Sequence, residues 1–346
     1  MSNVTTHERP GVYSFYDVST VVDSTAGAKT VAVVAVSETG EAGTAYELTR
    51  YEQAVSTFGE SDTMTKLTRL LFLNGAAAVI AVAVKEEADY QNAFDIIAQR
   101  EDVGIVICDS TALSVQQALR DSVTEASEAR RERIAVVCGG EAESVTDLTA
   151  RAKQLNDARM VLVAPCEEGG IAGSVAAAVA GAIAGENDPA IPLGGAQLKG
   201  IGGLTVRYSD SEIDLLVQGG VTALESVAGI VSVVRGITTK TMTGENADTT
   251  WRELTTILIV DDVIPTIRNS LRARFQRAKN NEQSRGAIRS QVILELENKL
   301  SAEIITGYEN VTVTAKEDNP TVCLVDFSFT VAHGINQIWL TAHITV

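Results

Sequence analysis

Between about residues 30 and 187 the chain alternates short, continuous apolar runs with longer stretches in which apolar residues recur at helical spacing. Short runs of this kind suit strands covered on both faces, so the pattern predicts βα units around a mainly parallel sheet. The predicted strands are Val31 to Val36, Ala78 to Val84, Gly104 to Cys108, Ile134 to Cys138 and Met160 to Ala164. Helices are predicted over Thr63 to Leu73, Tyr90 to Gln99, Ser114 to Arg131, Ser144 to Leu155 and Gly173 to Gly185. Ser114 and Ser144 read as N-caps, because a serine hydroxyl can accept from the free N–H groups of a first turn. The Ala- and Gly-rich run Ile171 to Gly185 falls short of the ~20 apolar residues that a bilayer crossing needs, and reads as a closely packed, buried helix.

Closely spaced Pro and Gly break the pattern from Asn187 to Gly203. A short helix, Ser211 to Gln218, then stops at Gly219 and Gly220, and strands come next near Val221 to Leu224 and Ile230 to Val234. From about Met242 the pattern predicts an apolar segment Leu254 to Val260, a long polar-faced helix from Asp262 to Lys279 and a further helix Arg289 to Glu303. Asp261 and Asp262 read as carboxylates at the start of the long helix, where the dipole favours negative charge. Three strands close the chain: Val311 to Lys316, Thr321 to Ala332 and Asn336 to Val346. In the second, Cys323, Val325, Phe327, Phe329 and Val331 alternate with Leu324, Asp326, Ser328 and Thr330, the period of a half-buried strand. The predicted class is therefore α/β and α+β: a central βα-repeat domain followed by an α+β C-terminal domain, with strand-like segments at both ends.

With 346 residues, 45% of them hydrophobic, the chain has enough apolar material for real cores, and disorder is excluded as its general state. Its 28 basic and 45 acidic residues give a net charge of -17, which argues against a nucleic-acid binder. The opening MSNVTTHERP has no apolar core or small-residue cleavage site, so the chain is expected to stay in the cytoplasm after synthesis. Cys108, Cys138, Cys166 and Cys323 form no C-x-x-C pair and read as small buried hydrophobes. The segments at the carboxyl ends of the central strands (CDSTAL, CGGEAE, APCEEGG) match neither a P-loop nor a dinucleotide fingerprint. His7, His333 and His343 all lie in the end segments, far along the chain from any nucleophile candidate. No catalytic, cofactor or metal site is predicted; the competing reading is a cytosolic α/β enzyme or small-molecule binder with a pocket near Asp109 or Cys138.

Charge distribution changes the picture more than any motif. Arg268, Arg272, Arg274, Arg277, Lys279, Arg285 and Arg289, with Glu282 as the one acid among them, give a local +6 and leave -23 for the rest. That contrast predicts a docking surface for an acidic partner. The ends are distinctive too. Pro10 to Val22 is strand-like, and Gln337 to Val346 contains no Asp, Glu, Lys or Arg. An uncharged terminal strand is an aggregation hazard unless it is paired, at home or in a neighbour's sheet.

Several ordered segments together resemble one family, the contractile tail sheath proteins of myophage tails and phage-tail-like bacteriocins. They are Arg9-Pro10-Gly11-Val12-Tyr13, the stretch from Ala164-Pro165-Cys166 through Ile171-Ala172-Gly173 to Asn187-Asp188-Pro189-Ala190, Leu215 to Leu224 followed by Val234 to Thr239, and the block from Trp251 to Ile338-Trp339-Leu340-Thr341. The resemblance implies a non-enzymatic helical homopolymer of stacked rings around a tail tube protein, with baseplate and tail-end proteins as further partners and neither nucleic-acid binding nor membrane insertion. It implies an N-terminal arm (1–25) packing with the C-terminal domain of its own or neighbouring subunits, a central sheath domain (26–240) and a C-terminal domain (241–346). Pro10, Gly11, Val12, Tyr13, Ile338, Trp339, Leu340 and Ile344 would belong to arms linking subunits, and the seven basic residues would face the tube. Assembly in the bacterial cytoplasm, incorporation into a virion tail or released tail-like particle, and contraction that drives the tube through an envelope are the corresponding expectations, with no cofactor.

Overall fold

The computed structural model describes residues 29–336 and 341. The first half contains β1 (Thr30–Val36), β2 (Ala45–Leu48), α1 (Tyr51–Phe58), α2 (Thr63–Asn74), β3 (Val79–Val84), α3 (Asp89–Ala98), β4 (Val103–Cys108), α4 (Leu113–Glu128), β5 (Ile134–Cys138), α5 (Val145–Leu155), β6 (Met160–Ala164) and α6 (Ser174–Gly185). An irregular stretch leads to α7 (Asp210–Gln218), β7 (Val221–Val227) and β8 (Ile230–Val233). A short pair, β9 (Met242–Thr243) and β10 (Asn246–Ala247), precedes α8 (Leu254–Phe275), α9 (Glu282–Ser301), β11 (Ile305–Ala315) and β12 (Cys323–Val331).

Eight strands make one sheet in the order β2-β3-β1-β4-β5-β6-β7-β8, parallel from β3 to β7 with an antiparallel strand on each edge. Helices cover both faces, which is why β3, β5 and β6 are apolar at every position. Val31, Val33 and Ala35 pack with α1, α2 and α6, while Ala32 and Val34 pack with α3, α4, α5 and α7. The mainly parallel central sheet and the α+β region after it are the predicted fold class. The structure adds β2 and α1, whose sequences AYEL and YEQAVSTF are too short and too polar to show a period.

Ser144 caps α5 as expected, its hydroxyl accepting from Asp147 N while the Asp147 carboxylate accepts from Ser144 N. Ser114 does not cap α4. The helix starts one residue earlier behind Ala112, and the Ser114 hydroxyl donates to Glu87 instead. At the other end α4 stops at Glu128, short of the predicted Arg131, and Arg130 takes a left-handed φ of 68°.

The run read as a buried helix is α6, and its small residues serve backbone contact. A Cβ placed on Gly181 would lie 2.7 Å from the Leu71 carbonyl oxygen of α2, and one on Gly185 would lie 2.9 Å from Gly75 Cα. Helices α2 and α6 therefore meet without an intervening layer of side chains.

The largest departure from the sequence reading is α8. Leu254 to Val260 is not a separate apolar segment but the first part of a single 22-residue helix, so Asp261 and Asp262 lie in its interior and cap nothing. Pro265, which suits a first turn, sits instead within the helix and removes one ladder bond. Leu254, Ile257 and Leu258 join the core on one face of the sheet, whereas Ile259, Val263 and Ile267 join a further core with Val292 and Leu296 of α9 and with Ile304, Ile305 and Val311. Helix α9 starts at Glu282, before the predicted Arg289, with Asn281 accepting from Ser284 N at 2.8 Å as its cap. Strand β12 shows the predicted alternation, with Val325, Phe327, Phe329 and Val331 packed against this core and Leu324, Asp326, Ser328 and Thr330 exposed. The terminal strand predicted over Asn336 to Val346 falls, except for Asn336 and Thr341, outside the described residues, as does Pro10 to Val22.

Gly181→Val is expected to lower stability by about 1–3 kcal/mol through overpacking against α2. Gly286→Ala, at an exposed position of α9 with open space around it, should raise stability by about 0.5–1 kcal/mol. Urea denaturation of both variants checks the contrast; equal midpoints would show that the α2–α6 contact can yield.

Candidate assembly surfaces

In open α/β sheets ligands bind outside the carboxyl ends of strands where the winding reverses. Here that place lies between β1 and β4, and the chain's own groups fill it. The Asp109 carboxylate accepts from Val36 N at 3.0 Å and from the Tyr90 hydroxyl, and Asp109 N donates to the Val34 carbonyl. Gly173, just before α6, approaches so closely that a Cβ would lie 3.1 Å from Asp109 Cα. Burial pushes the Asp109 carboxyl above its ordinary range and, together with the neighbouring Asp109, does the same to the Tyr90 hydroxyl. Asp109 thus fastens β1, β4 and α3 together. Cys138 and Cys166 line a separate cavity of about 200 Å³ at the ends of β5 and β6. Among the described residues no helix is long and apolar enough to cross a membrane, and no group of His, Cys, Asp and Glu is arranged to hold a metal ion.

Opposite, at the amino ends of the central strands, charged side chains bind the sheet to α8. Arg159, just before β6, donates to both oxygens of Asp261 at 2.7 and 3.0 Å, and to the Arg133 carbonyl oxygen at 3.1 Å. Arg268 grips Glu132, just before β5, at 2.5 and 3.1 Å. On the other side of the helix, Lys299 of α9 donates to Asp262 at 2.5 Å. Burial outweighs Arg159 and keeps the Asp261 carboxyl above its usual range. Burial likewise lowers Lys29, against the pull of Asp261 and Asp262. For Glu132 the balance reverses: burial raises it, but Arg268 and its other partners hold it below the ordinary value. None of these pairings was read from sequence. The signal within reach was the acidic pair itself, flanked by apolar helical residues, but Arg159 lies 102 residues away from Asp261.

The seven basic residues do not form one helix face. Arg268 turns back to Glu132, Arg274 donates to the Gln291 side chain, Arg285 to Asn280 and Arg289 to the Val311 carbonyl. Arg272 and Arg274 lie in the last turn of α8, Arg277 and Lys279 in the connection to α9, and Arg285 and Arg289 on α9. Arg272, Arg277 and Lys279 are exposed and form no ion pair among the described residues. With Arg274, Arg285 and Arg289, whose acceptors are neutral, they leave the α8–α9 hairpin positively charged.

Beside that hairpin, β11 and β12 form a two-stranded antiparallel sheet. One face packs on α9; among the described residues each strand has an outer edge without a ladder partner. Such edges can accept an extended segment through main-chain bonds. The residues expected to supply such segments, Pro10, Gly11, Val12, Tyr13, Ile338, Trp339, Leu340 and Ile344, all lie outside the described residues.

Comparison with known proteins bears on these surfaces. Residues 83–239 match the family model for the phage tail sheath protein central domain, and residues 246–345 match that for the phage tail sheath C-terminal domain. The tail sheath protein of Mycobacterium phage Bxz1 is 25% identical over 300 residues, covering 80% of this chain. This chain spans about half (50%) of that relative's length. Among solved structures, a chain in the cryo-EM structure of the anti-feeding prophage baseplate superposes with a TM-score of 0.75 at 16% identity, covering 99% of this chain and 100% of that one. A chain of the contracted anti-feeding prophage helical sheath gives a TM-score of 0.72 at 14% identity, covering 98% and 99% respectively. At these identities the structural likeness establishes a shared fold.

Arg159→Met alone, which strands Asp261 in a buried site, is expected to cost about 3–5 kcal/mol of stability. The double variant Arg159→Met, Asp261→Leu should recover most of that loss, since two apolar groups need no partner. Chemical denaturation across the double-mutant cycle measures this; additive losses would mean that the two groups act independently.

Proposed function

Because this chain belongs to the phage tail sheath family, we propose that it is the subunit of a contractile sheath, polymerising as stacked rings around a tail tube and shortening to drive the tube through a cell envelope. The observation that carries this reading is the β11–β12 sheet, whose outer edges have no ladder partner among the described residues, within a fold shared along nearly its whole length with a chain of a contracted helical sheath. The arms, 1–25 and the terminal strand carrying Ile338 to Ile344, would add to these edges in neighbouring subunits. At a net ~0.5–1.5 kcal/mol per hydrogen bond, a few main-chain bonds per arm, repeated over many subunits, hold a continuous mesh. Ladder bonds depend little on side-chain surroundings, so the mesh survives while the bodies rotate and form new contacts.

The role is mechanical and non-enzymatic, with contraction energy stored at assembly, and the crevice an α/β enzyme would use is closed by Asp109, Tyr90 and Gly173. We assign the central body to 26–240 and the C-terminal body to 241–346. The α8–α9 tip faces the tube protein. Exposed charges at Arg272, Arg277 and Lys279 suit a contact that orients and then slides, because water and salt weaken it. Baseplate and tail-end proteins are the remaining partners, and assembly takes place in the bacterial cytoplasm before the particle is released.

Deleting residues 1–22, or residues 336–346, should leave a folded monomer that forms no tubes in negative-stain micrographs; wild-type tubes from both deletions would overturn arm exchange. Replacing Arg272, Arg277 and Lys279 together by Glu should reduce co-assembly with the tube while sparing sheath self-association. Co-sedimentation with tube separates the two, and unchanged binding would remove this tip from the tube interface.

A further inference from the structure

Cys138 ends β5, and Cys166 comes after Pro165 just beyond the end of β6. The two strands are neighbours, with Cys138 in register with Val163 and Gly139 N donating to the Val163 carbonyl at 3.2 Å. After β6 the chain turns back toward β5, so that the Cys166 thiol donates to the Gly139 carbonyl oxygen at 3.3 Å. The Cys166 thiol is thereby brought to the residue that directly follows Cys138. Both cysteines line the cavity of about 200 Å³, whose rim includes the exposed Glu141 and Gly170. Cys138 is buried and Cys166 half-buried, so of two thiols lining one cavity one is the more open to solvent and the other lies deeper. Cys108, fully buried at the end of β4, bonds instead to the Ser110 carbonyl, and Cys323 lies far along the chain in β12.

We propose that Cys138 and Cys166 form a dithiol site that small-molecule disulfides convert to an intramolecular disulfide. The Cys166 thiolate attacks one sulfur of a disulfide RSSR, forming Cys166–S–SR and releasing RS⁻. Cys138 then gives its proton to RS⁻, and its sulfur attacks Cys166 Sγ. The Cys138–Cys166 bond forms as the second RS⁻ leaves, to take up the proton that Cys166 released. Two protein thiols are oxidised and one RSSR is reduced to two RSH.

The order of attack is set by exposure. The neighbouring Cys138 thiol holds the Cys166 thiol below its ordinary range, against burial and the charges of Glu141 and Glu143, while Cys166 and burial raise Cys138. A low-pKa, accessible thiol attacks, and a second thiol behind it resolves the adduct. The bond would tie the segment that leads from Cys166 to Gly173 to the end of β5, and Gly173 rests on Asp109. The dithiol therefore sits where it can fix the entry to α6.

The test exposes the folded full-length protein to cystamine, quenches with iodoacetamide and maps cysteines by mass spectrometry without reduction. A Cys138–Cys166 linked peptide pair with the loss of two hydrogens, and no persistent cysteamine adduct on Cys166, is the expected result. Cys138→Ser should retain the adduct on Cys166, and Cys166→Ser should leave Cys138 unmodified. A persistent Cys166 adduct in the wild-type chain, reaction at Cys323 alone, or no reaction at any thiol would overturn the proposal, and the wild-type map suffices if either variant misfolds.

Discussion

The architecture depends on a single helix that belongs to two cores. The first turns of α8 place Leu254, Ile257 and Leu258 under the central sheet, and the rest places Ile259, Val263 and Ile267 against α9 and β11. Asp261 lies between the two stripes, its side chain buried and held by both terminal guanidinium nitrogens of Arg159. A carboxylate in that position is tolerable only while its partner is in place, so the pair specifies how the helix is seated more than it adds stability. Arg268 with Glu132, and Lys299 with Asp262, extend the same seam in both directions. The C-terminal core is thereby set at a fixed place beneath the amino ends of β5 and β6.

Much of the central domain was legible because strands covered on both faces must be apolar throughout. The bounds of β5 and β6 agree to the residue with the runs IAVVC and MVLVA. Strand β2 and helix α1 were illegible because their segments are short and carry Glu47, Glu52 and Gln53 among few apolar residues. Helix α8 was split by local cues that point the wrong way: two carboxylates resemble a cap, and a proline resembles a first turn. Tertiary packing overrode both. The basic cluster was visible as a run of charge, but the partners its members take, Glu132, Gln291 and the Val311 carbonyl, were not, since none of them is predictable from spacing along the chain.

The net charge of -17 conceals an uneven surface. Of the seven basic residues only Arg268 is paired with a carboxylate among the described residues, so the other six leave a positive region along the α8–α9 hairpin. An acidic chain with a cationic hairpin carries its charge unevenly. That combination favours orientation over adhesion.

The contact between α2 and α6 also bears on how firmly one face of the sheet is built. Helices separated by a layer of side chains can slide as rotamers exchange, and such a layer gives under load. Here Gly181 meets the Leu71 carbonyl and Gly185 meets Gly75, so main chain bears on main chain. The first turns of α8 rest in the same core as these two helices. The layer on which α8 rests therefore has little room to repack at these two glycines.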